Sequence, residues 1–206
     1  SNYKILKFRS GNLKELDDQI SIEEPLEIIL KYKNKENWIE STISITMRTP
    51  GDDEDLVYGF LFNERVIEKI DYIKNIELSG EKVGQYKLKN KAIATINNSE
   101  NIDIDKIKRN FLTNSSCGVC GKTSLDTLEI IKKDKIIKSI PKIHHEIILK
   151  SPNILRQNQS EFSKTGGIHA SGLFNASGEI VAVKEDVGRH NALDKLIGYV
   201  LKKKLL

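Results

Sequence analysis

The chain has 206 residues, enough to bury a sizeable core in one domain or in one domain with a small appendage. Its 33 Lys and Arg against 29 Asp and Glu leave a net charge of +4, interspersed except at Lys202-Lys203-Lys204, a bias too mild for a nucleic-acid-binding surface. No apolar run approaches a membrane span and no signal-peptide stretch opens the sequence, so the chain reads as cytoplasmic, with its two cysteines expected as reduced thiols.

In chain order, residues 3–8 alternate weakly (Tyr3, Ile5, Leu6, Phe8), like an edge strand. The β-branched runs at 25–30 and 38–46, joined by a polar turn at 33–37, predict a hairpin. Pro50-Gly51 then breaks the chain, and Asp52-Asp53-Glu54-Asp55 open a helix with Leu56, Phe60 and Leu61 as its apolar stripe. Helix N-terminal charge explains this acidic cluster more readily than a metal does. Arg48, just ahead of the break, is harder to explain by packing and is read as free to face a phosphate or a partner. Two more strands are expected at 73–78 and 86–96, about a turn at 79–84.

The stretch Asn114-Ser115-Ser116-Cys117-Gly118-Val119-Cys120-Gly121-Lys122 holds both cysteines, and Leu125, Leu128 and Ile131 behind it suggest a helix over about 123–133. A helix N-terminus and Lys122 both favour the thiolate, which is the nucleophilic form, and the glycines leave room for another sulfur-bearing group to approach. A Cys-x-x-Cys pair is compatible with half a zinc site, a thioredoxin-like couple, a structural disulfide, or a nucleophile with a resolving partner. No second such pair completes a four-cysteine zinc site, and no clear βαβ pattern surrounds this one.

A short strand at 135–140 stops at Pro141, and His144-His145-Glu146 begins a helix that Pro152 is expected to end or restart. Adjacent histidines do not share a helix face, so a surface or helix-start role is expected for them. Thr165-Gly166-Gly167 then opens a strand of small residues, which lets a ligand or backbone come close and makes His169 a candidate site residue as well as a candidate core histidine. After a turn at 175–178 and a returning strand at 179–184 comes Glu185-Asp186-Val187-Gly188-Arg189-His190-Asn191, followed by a helix with Leu193, Leu196, Ile197, Val200 and Leu201 on one face. Arg189, His190 and Asn191 at a helix start form a candidate anion site. The plainer alternative is an N-cap at Asn191 with an Asp186–Arg189 surface pair.

Three of these segments together, Ser116-Cys117-Gly118-Val119-Cys120-Gly121-Lys122, Thr165-Gly166-Gly167-Ile168-His169-Ala170 and Glu185-Asp186-Val187-Gly188-Arg189-His190-Asn191-Ala192-Leu193-Asp194-Lys195, closely resemble the formate dehydrogenase accessory sulfurtransferases, the FdhD family. The run from Arg48 to Leu56, with Gly59-Phe60-Leu61, fits the N-terminal part of that family.

The resemblance implies an α/β fold with a cytidine-deaminase-like mixed sheet and flanking helices, plus a small β-rich N-terminal part. The expected division is 1–110, β-rich with one helix, and 111–206, the cysteine loop and α/β part. It further implies a sulfurtransferase that takes persulfide sulfur from a cysteine desulfurase and passes it to the molybdenum cofactor of formate dehydrogenase, in its bis(molybdopterin guanine dinucleotide) form. Cys117 would carry the persulfide and Cys120 would be the second thiol, with Thr165, Gly166, Gly167, His169, Arg189, His190 and Asn191 on the cofactor. No permanent metal is expected, and neither a nucleic acid nor a membrane is an expected partner. Family members usually continue past the Asp194-Lys195 helix into a segment associated with the guanine dinucleotide, whereas this sequence stops at Leu206, so a shortened chain is expected, its exposed edge covered by a partner such as a second copy.

Two rivals come from other classes. A zinc-dependent deaminase-like hydrolase would use Cys117, Cys120 and one of His144, His145 or His169. Deaminase chemistry needs His-x-Glu and Pro-Cys-x-x-Cys, yet Asn114-Ser115-Ser116 precedes Cys117 and His169-Ala170-Ser171 lacks the Glu. The other rival is a cofactor-binding chaperone whose cysteines do no chemistry.

Overall fold

The computed structural model describes residues 2–83, 86–97 and 142–205. Cys117, Cys120, and the helix and strand expected over 123–140 lie outside the described residues. The chain forms two compact units. The first comprises Ser1–Glu24, Met47–Gly59 and His144–Leu206, and the second Pro25–Thr46 with the described part of Phe60–Ile143.

The second unit is built on a mixed four-stranded sheet of order β4-β3-β6-β5, in which β3 (Glu24–Asn34) runs parallel to β6 (Leu88–Ile96) and β5 (Ile73–Val83) antiparallel to it. β4 (Asn37–Arg48) neighbours β3, as the two β-branched runs predict. Consecutive residues of β3 (Ile28, Ile29 and Leu30) are all buried, so both faces of this interior strand are covered. Each such side chain contributes about 1.5–3 kcal/mol of burial. The large side chains are accommodated because β6 sets Ala92 and Ala94 beside Ile28 and Leu30. β5 extends through the expected 79–84 turn to Val83, and the turn residues described ahead of β6 are 86 and 87.

In the first unit, β1 (Asn2–Arg9) pairs antiparallel with β2 (Asn12–Gln19) about Ser10 and Gly11, whose φ values of 51° and 80° suit a two-residue hairpin turn. Only β1 is legible as a strand in the sequence. β2, Asn12-Leu13-Lys14-Glu15-Leu16-Asp17-Asp18-Gln19, is exposed throughout, so no alternation marks it.

Helix α1 (Asp53–Asn63) starts where the Pro-Gly break and acidic first turn place it. Helix α2 (His145–Gln157) runs straight through Pro152, which corrects the expectation that this proline ends or restarts it. A short α3 (Ser160–Thr165) closes on Gly166 at φ 70°, the left-handed conformation that glycine adopts without a Cβ penalty. β7 (His169–Phe174) and β8 (Ile180–Asp186) form an antiparallel pair, and α4 (Arg189–Lys203) packs on both.

The buried face of α4 is Ala192, Lys195, Leu196 and Val200. Leu193, expected on that face, is 46% exposed, because the stripe is centred one position earlier, on the i, i+4, i+8 row from Ala192. Gly59 and Gly198 lie where α1 and α4 meet: a Cβ on Gly59 would overlap the Asp194 carbonyl, and one on Gly198 the Asp55 carbonyl. The class is therefore α/β with a mixed sheet, as the sequence implies.

Candidate functional site

Two chain reversals of the first unit, β4 into α1 and β8 into α4, are locked together by buried polar groups. Asp186 is fully buried, and its carboxylate accepts hydrogen bonds from Thr49 N (3.0 Å), Gly188 N (2.9 Å), Asn191 Nδ2 (3.1 Å) and Lys195 Nζ (2.7 Å). Lys195, 2% exposed, also donates to the Thr49 carbonyl at 2.7 Å, and Asn191 Nδ2 to the Met47 carbonyl at 2.7 Å. Val187 N returns a bond to Thr49 Oγ1 at 3.0 Å. Burying these charges is tolerable only because each is paired and hydrogen-bonded.

Arg48 belongs to the same buried layer. Its guanidinium grips Asp53 through Nε (2.9 Å) and Nη2 (3.0 Å), and Nη1 donates to the Glu24 carbonyl at 3.1 Å. At 1% exposure it faces neither a phosphate nor a partner, which corrects the sequence expectation. The acidic first turn of α1 is likewise occupied by internal cations. Lys184 Nζ lies 2.9 Å from both Asp52 and Asp55, and Lys202 Nζ lies 2.8 Å from Glu54 and 2.9 Å from Asp55. Burial alone would lower the pKa of either lysine, but hydrogen bonds and charge from these carboxylates outweigh it and hold both above their usual range.

The Thr165–His169 and Glu185–Asn191 segments are brought together by strand pairing, which sets His169 opposite Asp186 and Ala170 opposite Glu185. The Glu185 carboxylate accepts from Glu161 N and Phe162 N at 2.9 Å each, fixing α3 against β8. Thr165 Oγ1 donates to the Glu161 carbonyl (2.9 Å) and lies 2.7 Å from Ser21 Oγ, so this hydroxyl is engaged internally.

The expected site residues thus divide into two groups. Gly166, Gly167, His169, Arg189 and His190 are exposed, and a Cβ on either glycine would meet nothing within 4 Å. Asn191 is buried in the lock, and Thr165 is half-buried. The N-cap of α4 is Gly188 rather than Asn191, and Asp186 pairs with Lys195 rather than with Arg189. The first turn of α4 carries no acidic residue and no side-chain cap, and Ala192 N donates to the Gly188 carbonyl at 2.9 Å. Its start, with Arg189 and His190 exposed, suits an anion both by dipole and by side-chain charge.

Lys195 is the residue whose role the sequence reading left unassigned. A signal was present: Asn191 and Lys195 are four apart and fall beside Ala192 and Leu196 on an apolar stripe, where a polar pair needs a buried partner.

Residues 21–206 match the model of the FdhD/NarQ family. The sequence is 37% identical over 203 residues to a protein from Sulfolobus acidocaldarius named sulfur carrier protein FdhD, covering 98% of this chain and 70% of that one. A protein of the same name from Picrophilus torridus is 41% identical over 191 residues, covering 92% of this chain and 66% of its own. In three dimensions the fold resembles a protein from Desulfotalea psychrophila solved as a candidate formate dehydrogenase accessory protein. The TM-score is 0.63 at 24% identity, covering 99% of this chain and 69% of that one.

Proposed function

This chain belongs to the FdhD/NarQ family, and on that footing we propose that it is a sulfur carrier that moves persulfide sulfur from a cysteine desulfurase to the molybdenum cofactor destined for formate dehydrogenase. The observation that carries the reading is the Cys117-Gly118-Val119-Cys120 pair, set in a chain that follows the family model from residue 21 to residue 206. The molybdenum cofactor, as bis(molybdopterin guanine dinucleotide), is the acceptor substrate.

The chemistry needs two thiols with different tasks. The Cys117 thiolate attacks the outer sulfur of the donor persulfide, the donor S–S bond breaks, and the desulfurase cysteine leaves as a thiolate. Cys120 then attacks the Sγ of Cys117, forming a disulfide and expelling the outer sulfur as hydrosulfide for the metal. The two electrons that reduce the sulfane sulfur come from the cysteine pair, and a cytosolic dithiol restores it. Arg189 and the start of α4 would hold the cofactor's phosphates, with Gly166, Gly167 and His169 lining the adjoining turn.

One observation favours a second reading, a cofactor-binding chaperone without thiol chemistry. The α4 N-terminus is suited to an anion through groups independent of either cysteine. Intact-mass measurement after incubation with a cysteine desulfurase and cysteine separates the two. A reductant-sensitive gain of one sulfur, lost in Cys117→Ala but kept in Cys120→Ala, is the expected result. No gain in any form, with cofactor binding retained, would establish the chaperone reading instead.

A further inference from the structure

Successive residues of a helix are turned by about 100°, which argues against a shared ligand for two adjacent histidines. The structure removes that obstacle. His144 precedes α2 with an extended backbone (φ −67°, ψ 138°), and only His145 is helical. The change of conformation between them brings their rings together, with centroids 4.3 Å apart and planes tilted by 35°. Glu146, also exposed, completes a trio whose ligand-capable atoms all lie within 4.8 Å of one another.

Among the described residues neither imidazole is committed elsewhere: His144 makes no capping hydrogen bond, and no side chain bonds to either ring. Beside the trio lies a cleft of about 310 Å³, lined by His144, Glu146, Lys150 and Ser177 among others. Lys150 Nζ competes for Glu146 at 3.6 Å in an exposed pair of the weak kind.

We propose that His144, His145 and Glu146 bind a divalent transition metal ion of the zinc, nickel or copper class, with no contribution from Cys117 or Cys120. Two imidazoles and one carboxylate are the donor set of such ions, with bonds of about 2.0–2.2 Å to zinc. That bond length requires donor atoms about 3.4 Å apart, which exposed side chains reach by small rotations. Remaining positions open to water or to a small ligand in the cleft. This site goes beyond the sulfur-carrier reading and stands or falls without it.

Calorimetric titration of the Cys117→Ser/Cys120→Ser protein with zinc ions tests the site free of thiol ligands. One ion per chain is expected, with uptake abolished when either His144→Ala or His145→Ala is added and retained with His169→Ala. Circular dichroism is expected to be unchanged in all of them, since the replaced rings are exposed. Zinc uptake that is absent from the cysteine-free protein, or that survives either of the two replacements, overturns the proposal.

Discussion

Lys195 Nζ stands 2.7 Å from Asp186 Oδ2 with both side chains essentially removed from water, and the pair joins the second turn of α4 to the end of β8. Replacing one partner leaves the other charge buried and unpaired. Lys195→Met and Asp186→Leu are each expected to cost about 3–5 kcal/mol. The double variant is expected to cost clearly less than the sum, since it removes both charges at once. Denaturant unfolding of all four proteins checks this; additive losses would mean that the pair is not coupled.

The close approach of α1 and α4 reverses a familiar sign. In a helix interior Gly→Ala ordinarily stabilises by about 0.5–1 kcal/mol. At Gly198 the new methyl would meet the Asp55 carbonyl, so Gly198→Ala is expected to destabilise by about 1–3 kcal/mol instead. A raised melting temperature for this variant would show that the helices can move apart at no cost.

Arg189 and Asn191, two residues apart in one motif, are expected to fail differently. Asn191→Ala removes the donor to the Met47 carbonyl and to Asp186, and should cost about 1–3 kcal/mol of stability. Exposed Arg189→Ala should change stability by less than about 0.5 kcal/mol while weakening binding of guanosine diphosphate, a fragment of the proposed substrate. Paired melting and binding measurements check both halves. Unchanged nucleotide binding in Arg189→Ala would remove this residue from the site.

Stability is expected to fall in alkali, through Lys184, Lys202 and Tyr58. Both lysines are held above their ordinary value of 10.5, so their contribution is complete below that pH and is lost as pH rises through the higher folded values. Tyr58 is pushed up from 10.0, chiefly by burial and secondarily by Glu54, and acts in the same direction. Urea midpoints should therefore be flat between about pH 7 and pH 9 and should drop above about pH 10. Lys184→Met, which removes one of these groups, should drop less steeply.

Local chemistry was legible wherever one residue type allows one outcome. Pro50-Gly51 ahead of Asp52–Asp55 marks the start of α1 because the break and the helix dipole act within a few residues. The β-branched runs mark β3 and β4 for the same reason. What failed was decided by the folded context of a segment rather than by its own residues. Polar β2 becomes a strand only because β1 pairs with it, and Pro152 is accommodated within α2 although its local rule argues for a break. Arg48, which its sequence position leaves open to a ligand, is held by Asp53 and by the Glu24 carbonyl.

By itself the sequence determined the family, the mixed α/β class, and the presence of a Cys-x-x-Cys pair, because motifs and propensities are properties of short segments. Only the tertiary structure decided which polar residues of those motifs are structural and which are exposed. Asp186, Asn191 and Lys195 are consumed by a buried lock that also engages Thr49, 137 residues before Asp186 in the chain, whereas His169, Arg189 and His190 remain exposed. The physical reason is that a buried charge must find its partner wherever the fold brings one, and sequence spacing does not record that encounter.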